Sequence, residues 1–212
     1  MRHTSLTRQL TALAKRIHPG MVSLSVCDAV VLHRAAGLCA KPGATFLEFA
    51  AGWGFSTLCI LDAISQTETR FITSEVAGDC WVALRDLLRD TKAELWEGDL
   101  RKQEEALKGL ALDFLFIDSN HEPAMVSWSL RTLFPLGKPG GLIAVHDVLD
   151  PTCEVYQQER AEVEGVMSRH GLQAVELLNP EEKQELQGML PWPRSYCGVR
   201  RDLNTMVMRR GV

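Results

Sequence analysis

Apolar residues in this chain fall into short runs, several closed by an acid, and helical spacing fills the gaps between them. Thr45-Phe-Leu-Glu48-Phe, Arg70-Phe-Ile-Thr-Ser, Ala93-Glu-Leu-Trp, Leu112-Asp-Phe-Leu-Phe-Ile117 and Leu142-Ile-Ala-Val145 have the length and composition of strands. A helix is expected from about Ser56; Cys80, Leu84, Leu87 and Leu88 mark another, and Val126, Leu130, Leu133 and Phe134 a further one. Such alternation predicts parallel pairing through right-handed crossovers. Glu48, Glu75, Asp99, Asp118 and Asp147 are then expected near one edge of the sheet. Ligands of open doubly wound sheets sit beyond that carboxyl edge, so the pattern points to a polar cofactor.

The flanks extend the picture. Leu6, Leu10, Leu13 and Ile17 share one face of an N-terminal helix that His18-Pro19-Gly20 breaks. Ser25 can cap a second helix running to about Ala40, and Lys41-Pro42-Gly43 turns into the first strand. Residues 1–42 therefore read as a helical cap and 43–212 as the main domain. Leu136-Gly-Lys-Pro-Gly-Gly141 is expected as a tight turn, about Thr152 to His170 as a helix, and 171–178 and 204–209 as two last strands. The fold class is thus α/β: a Rossmann-like, doubly wound, seven-stranded sheet with helices on both faces. The last two strands are joined by a long segment containing Glu181-Glu182-Lys183 and Pro191-Trp192-Pro193; a connection of that length is usually functional or disordered.

Composition fits one domain with a full core: 212 residues, 46% hydrophobic and 24% charged. With 23 basic against 27 acidic residues, the net charge of −4 gives no general attraction to nucleic acid or anionic membrane. No apolar run approaches the roughly 20 residues that span a bilayer. A small-molecule partner and a cytoplasmic location are expected. Met1 to Cys27 carries Arg2, Arg8, Lys15 and Arg16 without an acid, which suits either an organelle transit peptide or an amphipathic helix packed on the domain or on a second subunit of a homo-oligomer. The six cysteines lack a C-x-x-C pair and read as reduced core residues.

Three constellations carry chemistry. In Phe46-Leu-Glu-Phe-Ala-Ala-Gly-Trp-Gly-Phe-Ser-Thr57 a strand passes through small residues into a helix, where the backbone can approach a ligand and helix-start amides can hold an anionic group. Ala50, Gly52 and Gly54 do not have the spacing of a dinucleotide fingerprint. Glu75, closing the second strand, is placed either to accept both ribose hydroxyls of a nucleoside or to serve as a solvated turn acid. Asp118, His121, His146 and Asp147 lie at the ends of two neighbouring strands and could form an octahedral site for magnesium or manganese.

From about Met21 to Val148 the chain resembles the class I S-adenosylmethionine-dependent methyltransferases, specifically the small O-methyltransferases that include the catechol, macrolide-sugar and cephamycin-type enzymes. The likeness rests on Leu47-Glu-Phe-Ala-Ala-Gly-Trp-Gly-Phe-Ser56, on Phe71-Ile-Thr-Ser-Glu-Val-Ala-Gly-Asp-Cys80, on Asp113-Phe-Leu-Phe-Ile-Asp-Ser-Asn-His121 and on Leu136-Gly-Lys-Pro-Gly-Gly-Leu-Ile-Ala-Val-His-Asp147. It implies that Glu48, Gly52, Gly54 and Ser56 surround the methionine moiety of S-adenosylmethionine, that Glu75 binds ribose and that Gly98-Asp99 flank adenine. Ala50 belongs to the same cofactor turn but stands where the family usually has glycine, so its methyl narrows the pocket.

In the metal-dependent members, acids or an amide at the positions of Asp118, His146 and Asp147 hold the ion. His146 departs from that pattern and favours manganese or a softer ion over magnesium, or no ion at all. His121 falls where the catechol enzymes carry a catalytic lysine, which makes it a candidate general base with a pKa near neutrality. The expected activity is O-methylation of a small-molecule hydroxyl of catechol, phenol or sugar type, assisted by a divalent ion. Trp192, Tyr196 and the N-terminal helices are expected to wall the acceptor. Two rivals stand beside it: a metal-free methyltransferase with His121 or His146 as base, and a non-catalytic binding protein on the same fold. Asp118 could instead serve only to orient the cofactor, and His146 could be a buried, hydrogen-bonded strand-end residue.

Overall fold

A computed structural model describes residues 2–17, 21–150, 153–188 and 203–211. Two helices lead the chain, α1 (Arg2–Ala14) and α2 (Val26–Cys39). Then follow β1 (Thr45–Phe49), α3 (Phe55–Ile64), β2 (Arg70–Glu75), α4 (Gly78–Leu88), β3 (Glu94–Glu97), α5 (Glu104–Leu107), β4 (Leu112–Ile117) and α6 (Pro123–Thr132). The last elements are β5 (Gly137–Val145), α7 (Glu154–His170), β6 (Leu172–Ala174), α8 (Pro180–Gly188) and β7 (Met206–Arg210). The seven strands form one sheet in the order β3-β2-β1-β4-β5-β7-β6. Pairs among the first five strands are parallel, while β7 runs antiparallel to both neighbours. The expected seven-stranded doubly wound sheet is present, and its direction switches between β1 and β4.

Side-chain alternation assigns the two faces. Phe46, Phe71, Phe114, Phe116 and Ala144 point into a core shared with α1, α2 and α3. Leu47, Ile72, Leu115, Ile117 and Val145 point the other way, onto Val126 and Leu130 of α6 and Val163 and Val166 of α7. Fully burying each such aromatic or aliphatic side chain contributes about 1.5–3 kcal/mol, so this alternation sets the register. Leu112 joins the second core although Phe114 joins the first, because the β4–β5 register shifts between them.

Several boundaries differ from expectation. Gly137 to Gly141, expected as a tight turn, is the first half of β5; Gly140 takes φ 78° and a Cβ on Gly141 would lie 3.0 Å from the carbonyl oxygens of Asp113 and Lys138, so the bulged strand needs glycine there. The strand expected over 171–178 is only β6, of three residues; the Val175 amide still donates to the Val207 carbonyl at 2.8 Å, and the chain then leads to α8, which lies within the connection expected to be functional or disordered. In α1, Leu10 and nearby Ala14 and Ile17 are buried against this same chain, so the amphipathic face is covered by α2 and α3. The break at His18-Pro19-Gly20, together with Trp192, Tyr196 and Cys197, lies outside the described residues. The five described cysteines are free, and four of them are buried. Among the described residues, no helix is long and apolar enough to cross a membrane.

Candidate active site

Parallel strands bring all five acids to one edge, but not into one role. Glu48 lies inside β1 and is fully buried on the α3 face, where its Oε2 accepts from the Thr57 hydroxyl at 2.6 Å and the Thr73 hydroxyl at 2.7 Å. Among the described residues its Oε1 has no hydrogen-bond partner within 3.5 Å. Burial holds the carboxyl above its ordinary pKa against the hydroxyls of Ser56, Thr57 and Thr73. Ser56 and Thr57 open α3 and are both buried.

Beyond β1 the chain turns through Ala50 (φ 70°), Gly52 (φ 54°) and Gly54 (φ 89°), all left-handed. The turn is pinned to β2: the amides of Ala50 and Ala51 both donate to the Ser74 carbonyl at 3.0 Å, and the Gly52 amide donates to Glu75 Oε2 at 2.6 Å. Glu75 Oε1 accepts from the Ala77 amide at 2.7 Å, and the Trp81 indole donates to the Glu75 carbonyl at 2.9 Å. One backbone donor on each oxygen fixes the carboxylate and leaves it acceptor capacity for further hydroxyls. Gly98 (φ 99°) donates its amide to the Glu75 carbonyl at 2.8 Å, bringing the turn after β3 alongside.

A cavity of about 380 Å³ opens between these turns, lined by Ala50, Glu75, Gly98, Asp99, Ser119 and Met125 among others. It therefore brings Ala50, Glu75, Gly98 and Asp99 together. The Asp99 carboxylate is taken by the Arg101 amide at 3.0 Å and by the Arg101 guanidinium, which holds its pKa below the usual range. Glu48, Gly52, Gly54 and Ser56 flank the same edge without lining that cavity.

Asp118, His146 and Asp147 meet at the ends of β4 and β5. His146 is buried, its Nδ1 is 2.9 Å from Asp118 Oδ1 and 3.6 Å from Asp147 Oδ2, and its Nε2 is 3.5 Å from Asp28 Oδ2. Burial favours the neutral ring, but Asp118 and Asp28 overcome it and hold the imidazole well above its ordinary pKa. Donor atoms of Asp118, His146 and Asp147 all lie within 4.8 Å of one another. Asp147 has φ 60°, a conformation an aspartate tolerates better than most residues.

His121 stands at the open side of this group. Its Nδ1 is 2.6 Å from Glu159 Oε2, its Nε2 is 3.6 Å from Asp147 Oδ2, and its ring meets Tyr156 edge-on at 4.5 Å. Half-burial works against charge, yet Asp147 and Glu159 raise its pKa to about 9. The expected titration near neutrality is thus corrected: two carboxylates make this side chain a cation at neutral pH. Asp28, Glu159, Tyr156 and Trp81 were not found by sequence reasoning. Ser25 and Asp28 do have the spacing of a capping box, which was the one available signal; nothing in local sequence ties Glu159 of α7 to residue 121.

Residues 48–148 match the family model described as a methyltransferase domain. No curated protein matches the chain. The O-methyltransferase TomG from Streptomyces achromogenes, solved in complex with S-adenosylmethionine, superposes with a TM-score of 0.68 at 17% identity, over 95% of this chain and 90% of that one. A putative O-methyltransferase from Klebsiella pneumoniae gives 0.64 at 19% identity, over 97% and 90%. The O-methyltransferase from Bacillus cereus, in complex with S-adenosylhomocysteine, gives 0.62 at 18%, over 98% and 90%. The segment that matches the methyltransferase-domain model spans the glycine turn after β1 and the ends of β4 and β5, and the chain shares the fold of these O-methyltransferases.

Proposed function

We propose that this methyltransferase transfers the sulfonium methyl to a hydroxyl oxygen of a small molecule, with a divalent ion at Asp118, His146 and Asp147. The observation that carries the reading is the joint placement, on one sheet edge, of a Glu75 carboxylate fixed by two backbone amides beside a cavity and of two carboxylates with an imidazole at the switch side of that edge. Glu75 accepts the ribose hydroxyls, Gly98 and Asp99 border adenine, and the unpartnered Glu48 Oε1 suits a donor such as the ammonium of the methionine moiety.

The donor set fits a borderline ion. Two carboxylate oxygens and a nitrogen suit manganese better than magnesium, and the Asp28 carboxylate 3.5 Å behind Nε2 would orient the ring of a metal-bound imidazole. When bound, such an ion lowers the pKa of a hydroxyl that it contacts. The chain's own groups do the rest. Asp118 and Asp147 are the carboxylates beside the acceptor that can take its proton, and the cationic His121, held by Glu159, favours the oxyanion. The oxygen then attacks the methyl carbon in line as the carbon–sulfur bond breaks, and positioning supplies most of the acceleration.

A second reading has its own observation. With both ring nitrogens beside carboxylates, a protonated His146 supplies positive charge at the same place without metal. Calorimetry with manganese and magnesium, and transfer of labelled methyl to hydroxyl acceptors with and without chelator, separate the two. The metal reading expects manganese to bind more tightly than magnesium, and Asp147→Ala to abolish both that binding and metal-stimulated transfer. Transfer that survives chelation unchanged assigns the charge to His146 instead.

A further inference from the structure

We propose that a cavity beside β6, between α7 and α8, is a second ligand site that takes an aliphatic monocarboxylate, with the alkyl chain between the two helical layers and the charge at Lys183. The proposal is independent of the reading of Asp118, His146 and Asp147.

The cavity follows from the short edge strand. Pairing between β6 and β7 stops at Ala174 and Met208, with one further bond from the Val175 amide to the Val207 carbonyl, so Thr205 and Met206 have no β6 residue beside them. Val163 and Val166 of α7 pack on one face of the sheet, and α2 with Leu178 and Leu186 packs on the other. The space that a longer strand would fill stays open between these layers. It measures about 500 Å³, within the roughly 300–1,000 Å³ of small-molecule sites, and is larger than the cavity beside Glu75. No described residue lines both.

The walls are largely apolar: Val31 of α2, Met167 of α7, Val175, Leu177 and Leu178 after β6, and Met206 at the start of β7. An alkyl chain gains by leaving water for such a surface. The walls are also held in place. Arg34 of α2 donates to the Leu177 carbonyl at 2.6 Å and to both oxygens of Glu182 on α8 at 3.2 Å, and Thr205 donates its amide and hydroxyl to Asp28, each at 2.8 Å. A cavity fixed in this way needs little ordering when it is filled. Four charged side chains line it and select the head group. Arg160 and Glu164 lie 2.8 Å apart along α7 and neutralise one another. Glu176 is exposed, and water suffices for a solvated carboxylate. Lys183 is half-buried on α8 and forms no ion pair among the described residues, since the adjacent Glu182 is taken by Arg34. A partly desolvated cation beside an apolar space is complementary to an anion on an apolar tail.

The test is calorimetric titration of the full chain with decanoate below its micellar concentration. Decanoate is expected to bind one-to-one, and decyltrimethylammonium, a similar tail with the opposite charge, roughly tenfold more weakly. Lys183→Gln should weaken decanoate by about three- to tenfold without weakening the ammonium. Ala174→Trp, at an exposed position of the wall, fills the space and should abolish binding of both. S-adenosylhomocysteine affinity should be the same with and without decanoate, because the two cavities are separate. Absence of decanoate binding overturns the proposal, and so does equal or tighter binding of the ammonium. Binding that Ala174→Trp leaves unchanged, or that S-adenosylhomocysteine displaces, puts the ligand elsewhere and overturns it as well. Sedimentation supplies the last arm: a dimer that Ala174→Trp dissociates would assign these walls to a second copy of the chain, against the proposal. Should Ala174→Trp fail to fold, Lys183→Gln and the comparison of the two head groups still decide.

Discussion

Position 50 holds an alanine at φ 70°, in a region where a Cβ crowds the following carbonyl. For an L-residue that conformation costs about 1–2 kcal/mol, while the extra freedom glycine gives the unfolded chain offsets about 0.4–1 kcal/mol of the gain. Ala50→Gly should therefore raise stability by up to roughly 1 kcal/mol in denaturant titration, and a clear loss would show that the turn is not strained there. The resemblance marked this position as unusual from sequence, because a small residue in a cofactor turn is a local signal. The positions of Gly52 in that turn and of Glu75 at the end of β2 were legible for the same reason. Asp28 and Glu159 were not: each acts through a partner more than thirty residues away, and no periodicity records such a pair. The expected neutral-range titration of His121 failed on that account, since its pKa is set by Glu159 and Asp147 rather than by its own segment.

Among elements, β1 and the Ser25-capped α2 follow the sequence closely because burial alternation, capping and turn residues all agree there. The misjudged pieces, β6, α8 and the start of β5, lie where glycine and proline signals compete with tertiary pairing. One device that links elements was also out of reach. Asp113 on β4 is buried and accepts from the Thr45 amide at 3.0 Å and from Lys138 Nζ at 2.6 Å, while Lys41 Nζ lies 2.9 Å from its other oxygen. Burial alone would raise its pKa; the two lysines and the amide outweigh that and hold it below the ordinary value of 3.8. A depressed folded pKa means that its stabilisation is fully present above the unfolded pKa and is lost as pH falls through the folded one. Asp113→Asn should thus cost about 1–3 kcal/mol at pH 7 and progressively less below pH 4, read from urea midpoints along a pH series. A destabilisation that stays constant down to pH 2 would assign the loss to shape and not to charge.

At the scale of the whole molecule, the turns after β1, β2 and β3 and the carboxylates that follow β4 and β5 belong to one sheet edge, so a ligand that spans that edge ties the first five strands together. Binding that favours the folded chain adds RT ln(1 + [L]/Kd), about 2.7 kcal/mol at a concentration 100-fold above Kd. For a chain of this size each kcal/mol moves the midpoint by about 2–4 °C, so saturating S-adenosylhomocysteine should raise Tm by roughly 5–10 °C. On the proposed reading Glu75→Ala removes the acceptor for both ribose hydroxyls, and such charge-assisted bonds are worth about 1.5–3 kcal/mol. The variant's own stability is also expected to fall, because the amides of Gly52 and Ala77 lose their carboxylate. What tests the ribose assignment is therefore the shift caused by ligand in each protein and not the midpoint itself. At the same ligand concentration that shift should shrink by more than half in Glu75→Ala and return only at roughly ten- to hundredfold higher ligand. An undiminished shift would mean that the ribose lies elsewhere on the edge, and the assignment of Glu75 would fall while the fold and the methyltransferase reading stood.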